Sequence, residues 1–238
     1  MNRPREIETH RATVDTCGGA AGAVVIIDVL RAFTTAAHAF ARGAQEILLV
    51  STVAEGFALK RRHPNYLLMG EVDGLPIDGF DLPNSPAAVA ALDLSARRMI
   101  MRTSAGTQGI VRAVKGAPLL AASLCVASAT ARKLKSIDAR IVTLVATGVR
   151  AHDSGEEDVA CADLIAALLR DESPNIIETQ ERVLNSRAAA KFLRDDHPAF
   201  RKADLELALE IDRFDFAMEV ERRNDTLALR VVSDLSSP

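Results

Sequence analysis

The chain has 238 residues, 48% of them hydrophobic, with 29 basic and 32 acidic side chains and a formal net charge of −3. That length and apolar content suffice for one large core or two small ones. The balanced charge gives no bulk attraction to nucleic acid or to an anionic membrane, so an anionic ligand needs a local site.

No apolar run is long enough to span a bilayer, and the first ten residues are polar and charged, unlike a secretory signal. Cys17, Cys125 and Cys161 make an odd count without a C-x-x-C pair. They read as small buried apolar residues of a reduced, cytoplasmic protein. Aromatic residues are 4% and Trp is absent, so the core must be built from Ala, Val, Leu and Ile.

In chain order, residues 24–28 form a β-branched apolar run ending in an acid, as a buried strand does. The Ala-rich segment 34–42 predicts a helix stopped by Gly43. A strand over 46–50, a helix over 53–62 broken near Pro64, and a strand over 66–69 follow. Segment 70–86 holds three Gly, three Pro and three Asp and predicts a long functional loop. Alternation then resumes, with strands at 98–101, 118–122 and 140–146 and helices at 106–114, 127–134 and 156–170. Beyond a soft boundary at 171–175, helices are expected at 178–185 and 202–210. A hairpin of 217–222 and 227–232 turns at Asn224-Asp225. The pattern predicts a single α/β domain over 1–238: a layered, mostly parallel central sheet with helices on both faces and a C-terminal helix-plus-hairpin extension.

Ligands of open parallel sheets bind beyond the carboxyl ends of the strands. The polar residues there are Asp28, Arg31, Thr34 and Thr35; Gly70 and Glu71; the run from Thr103 to Thr107; and the loop from Thr147 to Asp158. Asp28, Glu71 and Asp158 are hard oxygen donors of the kind magnesium takes, and amides at glycine turns suit phosphate oxygens. Asp28 alone is as readily a helix cap as a catalyst. Arg31, three residues on, carries a cation within reach of the same site. Ser154-Gly155-Glu156-Glu157 fits a capping box, which makes Glu157 structural and leaves Asp158 freer to ligate. His152 is the one histidine placed for acid–base work, although a solvated role is the simpler reading.

Taken together, these segments resemble the 2-phosphosulfolactate phosphatase family. The resemblance rests on the stretch from Val25 to Thr35, Gly70-Glu71 with Gly74, Gly79-Phe80-Asp81, Asn84-Ser85-Pro86, Thr103, Gly106-Thr107 and Glu157-Asp158. It implies a magnesium-dependent hydrolase that releases phosphate from 2-phosphosulfolactate, a small anionic phosphomonoester, on the way to coenzyme M. It also implies catalytic roles for Asp28, Arg31 and Glu71, a metal site of Asp28, Glu71 and Asp158, and substrate contacts from Asn84, Ser85, Thr103, Gly106 and Thr107. Water activated by the metal is the default nucleophile.

Four positions depart from the family pattern: Val72 stands for Arg, Ala105 for Asn, Pro83 for Gly, and Val126 near an expected Asn. The acids persist while some anion-binding groups do not, which keeps a non-catalytic anion- or partner-binding relative as the alternative. A nucleotide-binding protein is disfavoured, since neither G-x-G-x-x-G nor a P-loop occurs. The Ala-rich helices and the C-terminal hairpin are each candidate homodimer interfaces.

Overall fold

The computed structural model describes residues 7–194, 196–223 and 226–232. Residues 1–6, six of the ten read as lacking a secretory signal, and the hairpin turn Asn224-Asp225 lie outside the described residues.

The described residues open with a half-exposed strand, β1 (Glu8–Thr13), which the polar sequence did not reveal. The run ending at Asp28 forms β2 (Ala23–Ile27), buried at every position. Each fully buried Val or Ile there stabilises the fold by about 2 kcal/mol. Then come α1 (Ala32–Ala41), β3 (Glu46–Leu49) and α2 (Val53–Arg62). Helix α2 starts on a true capping box formed by Thr52 and Glu55.

The expected long loop is more ordered than its composition suggests. Strand β4 (Leu67–Val72) runs on through Gly70 and Glu71, turns back as β5 (Leu75–Pro76), and takes β6 (Leu82–Pro83) as a parallel neighbour. Glycine lets β4 pass β7 closely: a Cβ at Gly70 would lie 2.0 Å from the Arg102 carbonyl oxygen. Next follow α3 (Pro86–Ala90), β7 (Arg98–Arg102), α4 (Gly106–Arg112), β8 (Leu119–Ala122), α5 (Ala127–Ser136) and β9 (Ile141–Ala146). A small hairpin of β10 (Val149–Arg150) and β11 (Asp153–Ser154), absent from the sequence expectation, precedes α6 (Glu156–Leu169). The chain ends with α7 (Ile176–Leu184), α8 (Arg187–Leu193), α9 (Lys202–Ala208), β12 (Ala217–Arg223) and β13 (Thr226–Val232).

The protein is thus α/β, with helices flanking one large, mostly parallel mixed sheet of eleven strands. The sheet holds two parallel blocks, β1-β9-β2-β8 and β3-β7-β4. The β12-β13 hairpin lies between them and pairs antiparallel with β8 on one side and β3 on the other. With three reversals of direction between β8 and β3, the two blocks run oppositely. A flat sheet would set β2 and β7 five spacings apart, about 24 Å. Yet Gly106, four residues after β7, packs on Asp28 at the end of β2. The sheet therefore curls, and α4 touches both β2 and β3. The site residues come from two facing strand ends, not from one edge of a single parallel sheet as the alternation suggested.

One main apolar cluster spans β2, β8, β9, α1 and α6. Cys17, Cys125 and Cys161 are buried in it and unbridged, as expected. Among the described residues no helix is long and apolar enough to cross a membrane.

Candidate active site

Asp28 stands where β2 ends and is 5% exposed. Its Oδ1 accepts the amide of Ala32, the first residue of α1, at 2.9 Å. It therefore does cap the helix, while a Cβ on Gly106 would lie 2.9 Å from its Oδ2. Only a residue without a side chain can pack this closely against that oxygen and Ala32. Burial and then the repulsion of Glu71 push the Asp28 carboxyl up to about 6.

Asp158 reaches the same place from the first turn of α6. Its Oδ1 accepts the Val29 amide at 2.8 Å, and its Oδ2 accepts the Gly148 amide at 2.7 Å and the Thr147 hydroxyl at 3.1 Å. Burial, followed by repulsion from Glu157 and Asp28, holds it well above the carboxylate range. It ties β2 to β9, and it is more fully engaged with protein donors than the sequence implied.

Glu157 is the residue that sequence reasoning set aside. The expected capping box does not form: Ser154 is paired in β11, and Gly155 in the left-handed conformation (φ 55°) starts α6. Freed from capping, Glu157 turns inward and is 5% exposed. Its Oε2 is buried without a hydrogen-bond partner among the described residues. Burial, then Asp153 and Asp28, push its carboxyl up to about 7. A Cβ on Gly148 would come within 2.8 Å of its Oε1 and 3.3 Å of Asp158 Oδ2. The signal was present in the sequence, because Glu157 adjoins Asp158 at the start of the helix that follows β9.

Glu71 belongs to the opposing block. Its carboxylate accepts the amides of Ser104 and Gly74 and, at 3.3 Å, the Ser104 hydroxyl. Arg102 donates to the Glu71 carbonyl at 2.7 Å and to Ser104 Oγ at 3.1 Å. Thr103 and Thr107 satisfy one another: Thr103 Oγ1 accepts the Thr107 amide at 3.0 Å, and Thr107 Oγ1 accepts the Thr103 amide at 2.9 Å. Their mutual bonds fix the turn that delivers Gly106 to Asp28. Thr34 Oγ1 donates to the Val29 carbonyl, and Thr35 Oγ1 is buried and unpartnered among the described residues.

Arg31 and Ser85 meet at a buried acid that the sequence reading did not single out. Arg31 Nη1 pairs with Asp204 Oδ2 at 3.0 Å and also donates to the Ala199 carbonyl, while Nη2 donates to the Gly74 carbonyl at 3.0 Å. Its guanidinium lies over the rings of Phe192 and Phe200. Ser85 Oγ donates to Asp204 Oδ1 at 2.6 Å. Asn84 is buried beside it with Oδ1 unpartnered among the described residues. Arg31 thus holds the Gly74 turn, and with it Glu71, against the segment around α9. His152 lies exposed at the tip of the β10-β11 hairpin, outside the buried acids.

Four acids therefore gather around the end of β2: Glu71 raises the proton affinity of Asp28, Asp28 that of Glu157, and Glu157 and Asp28 together that of Asp158. As the side chains stand, no three His, Cys, Asp or Glu converge on one point among the described residues.

The profile of the 2-phosphosulpholactate phosphatase family matches residues 11–223. The chain belongs to this family. Relatives named probable 2-phosphosulfolactate phosphatase include one from Bacillus subtilis, 36% identical over 83% of this chain and 86% of its own. One from Thermotoga petrophila is 31% identical over 79% and 81%. One from Deinococcus radiodurans is 38% identical over 61% of this chain and 60% of its own. In this member of the phosphosulfolactate phosphatase family, the matched region takes in Asp28, Glu71, Glu157 and Asp158 alike.

Proposed function

We propose that the protein is a magnesium-dependent phosphatase that hydrolyses a small anionic phosphomonoester, 2-phosphosulfolactate, to sulfolactate and phosphate. The observation that carries this reading is the crowding of Asp28, Glu157 and Asp158 in a buried space with Glu71 beside it, in a chain of this family. Acids that repel one another when buried lack a counter-charge. Their all-oxygen donor set fits a hard divalent cation. Asp28, Glu71 and Asp158 are the residues that would hold it. A bound magnesium ion would supply Lewis-acid neutralisation of the charge that builds on the phosphoryl oxygens.

The chain's own groups do the rest. Hydrolysis forms a bond from water oxygen to phosphorus and breaks the bond from phosphorus to the substrate oxygen. The water must lose a proton and the leaving oxygen must gain one. Glu157, with its carboxyl near 7 and one oxygen free, suits the exchange of that proton at neutral pH. The glycines at 106 and 148 let the backbone pack closely against Asp28 and Glu157 and so fix where their carboxylates stand. Arg31 acts by position, fixing the Gly74 turn whose amide holds Glu71. Asn84, with an open Oδ1, and Thr103 and Thr107, through the Gly106 turn, shape the substrate side.

The test is phosphate release from a panel of phosphomonoesters by metal-stripped protein, with and without added magnesium. The expected result is magnesium-dependent release, fastest from 2-phosphosulfolactate. Calorimetric binding of small anions with no release from any panel member at high protein concentration would favour a non-catalytic anion-binding relative instead.

A further inference from the structure

The β10-β11 hairpin leaves β9 at Gly148 and returns to α6 at Gly155, so its base adjoins Glu157 and Asp158. Its other contacts strap it across the site. Arg187, at the start of α8, donates to the His152 carbonyl at 2.7 Å. Arg150 reaches the opposite way and donates through Nη2 to the Ser104 carbonyl at 3.1 Å. Ser104 is the residue whose amide and hydroxyl hold Glu71, and Arg102 donates to its Oγ. Two guanidinium groups, one at the end of β7 and one from the separate β10-β11 hairpin, thus bracket one residue at the rim of the acid cluster.

Charge balance gives these cations work to do. The site contributes four carboxyl groups, and a substrate bearing phosphate, carboxylate and sulfonate adds only negative charge. Arg31 is committed to Asp204. Arg150 is exposed and spends one hydrogen bond on the protein, so most of its donors are open among the described residues. A sulfonate remains ionised at any working pH and offers three oxygens, which suits the forked donors of an arginine.

We propose that Arg150 binds the sulfonate of the substrate and makes the site selective for phosphomonoesters that carry a second strong acid. This inference rests on the phosphatase reading above. The hairpin brings the cation from the far side of the site, so the phosphate faces the buried acids while the sulfonate lies at the Ser104 rim.

The experiment compares Arg150→Ala and Arg150→Lys with the unaltered protein on 2-phosphosulfolactate and on 2-phospholactate, which lacks only the sulfonate. Arg150→Ala should raise KM for the sulfonated substrate by about tenfold or more and leave kcat and the 2-phospholactate KM within about twofold. Arg150→Lys, keeping the charge without the fork, should fall between. Equal KM changes on both substrates, or none on either, would overturn the proposal. Calorimetric binding of sulfolactate against lactate separates this outcome from failure of the phosphatase reading. If no phosphomonoester is turned over, a preference for sulfolactate that Arg150→Ala abolishes still supports the sulfonate contact. No such preference in the unaltered protein overturns it.

Discussion

Asp204 and Glu157 show how much rests on single buried acids. Asp204 is fully buried and serves Arg31, Ser85 and the Ala87 amide at once. Asp204→Ala leaves the Arg31 charge without its partner, which should cost about 3–5 kcal/mol. Denaturant unfolding checks this; a loss below about 1 kcal/mol, the range of a surface pair, would contradict the network. Glu157 has its carboxyl raised to about 7 in the fold, from an ordinary value near 4.3. A carboxyl raised by folding contributes stability in full below its unfolded value and loses it as pH rises through its folded value. In chelator, the melting temperature should therefore fall from pH 5 to pH 8, and Glu157→Gln should flatten that fall. An equal fall in both proteins would count against the buried acid. Asp204 was not legible in the sequence, and Glu157 was legible only as the neighbour of Asp158 in a matching pair. Asp204 sits in an ordinary amphipathic segment, and its partners Arg31 and Ser85 are more than a hundred positions away. Glu157 fitted a local capping pattern, and local patterns carry no information about which way a helix face will point.

At the scale of elements, the strands and helices that position the site were legible where periodicity was strong. The run into Asp28, the Ala-rich α1 and the α6 segment all lie within a few residues of their expected places. The β10-β11 hairpin and β5 and β6 were not, because each is two residues long and leaves no periodic trace. What marks them is glycine. Gly148 begins the hairpin with a Cβ position 2.8 Å from Glu157 Oε1. Gly148→Ala should displace that carboxylate and lower kcat by about tenfold to a hundredfold with the fold retained. Steady-state kinetics beside a thermal melt would read it, and an unchanged kcat would mean the hairpin base does not set the acid's position.

For the whole molecule, alternating strands and helices disclosed an α/β sheet, but not that its two parallel blocks oppose one another. That arrangement depends on the C-terminal hairpin β12-β13, whose entry into the middle of the sheet is a long-range pairing that no local pattern encodes. Because this hairpin joins both blocks, the chain should unfold in one calorimetric transition, with equal calorimetric and van't Hoff enthalpies. Two separable transitions would place a domain boundary where the sequence hinted at one, near 171–175. The same joining brings Glu71 from one block to Asp28 from the other, and the proposed chemistry depends on that meeting. The most direct measurement is phosphate release from 2-phosphosulfolactate by metal-stripped protein as magnesium is titrated in, with Asp28→Asn in parallel. The account predicts saturable, magnesium-dependent release, reduced about a thousandfold or more in a folded Asp28→Asn variant. Release that proceeds without any divalent cation, or that survives in Asp28→Asn, would contradict it.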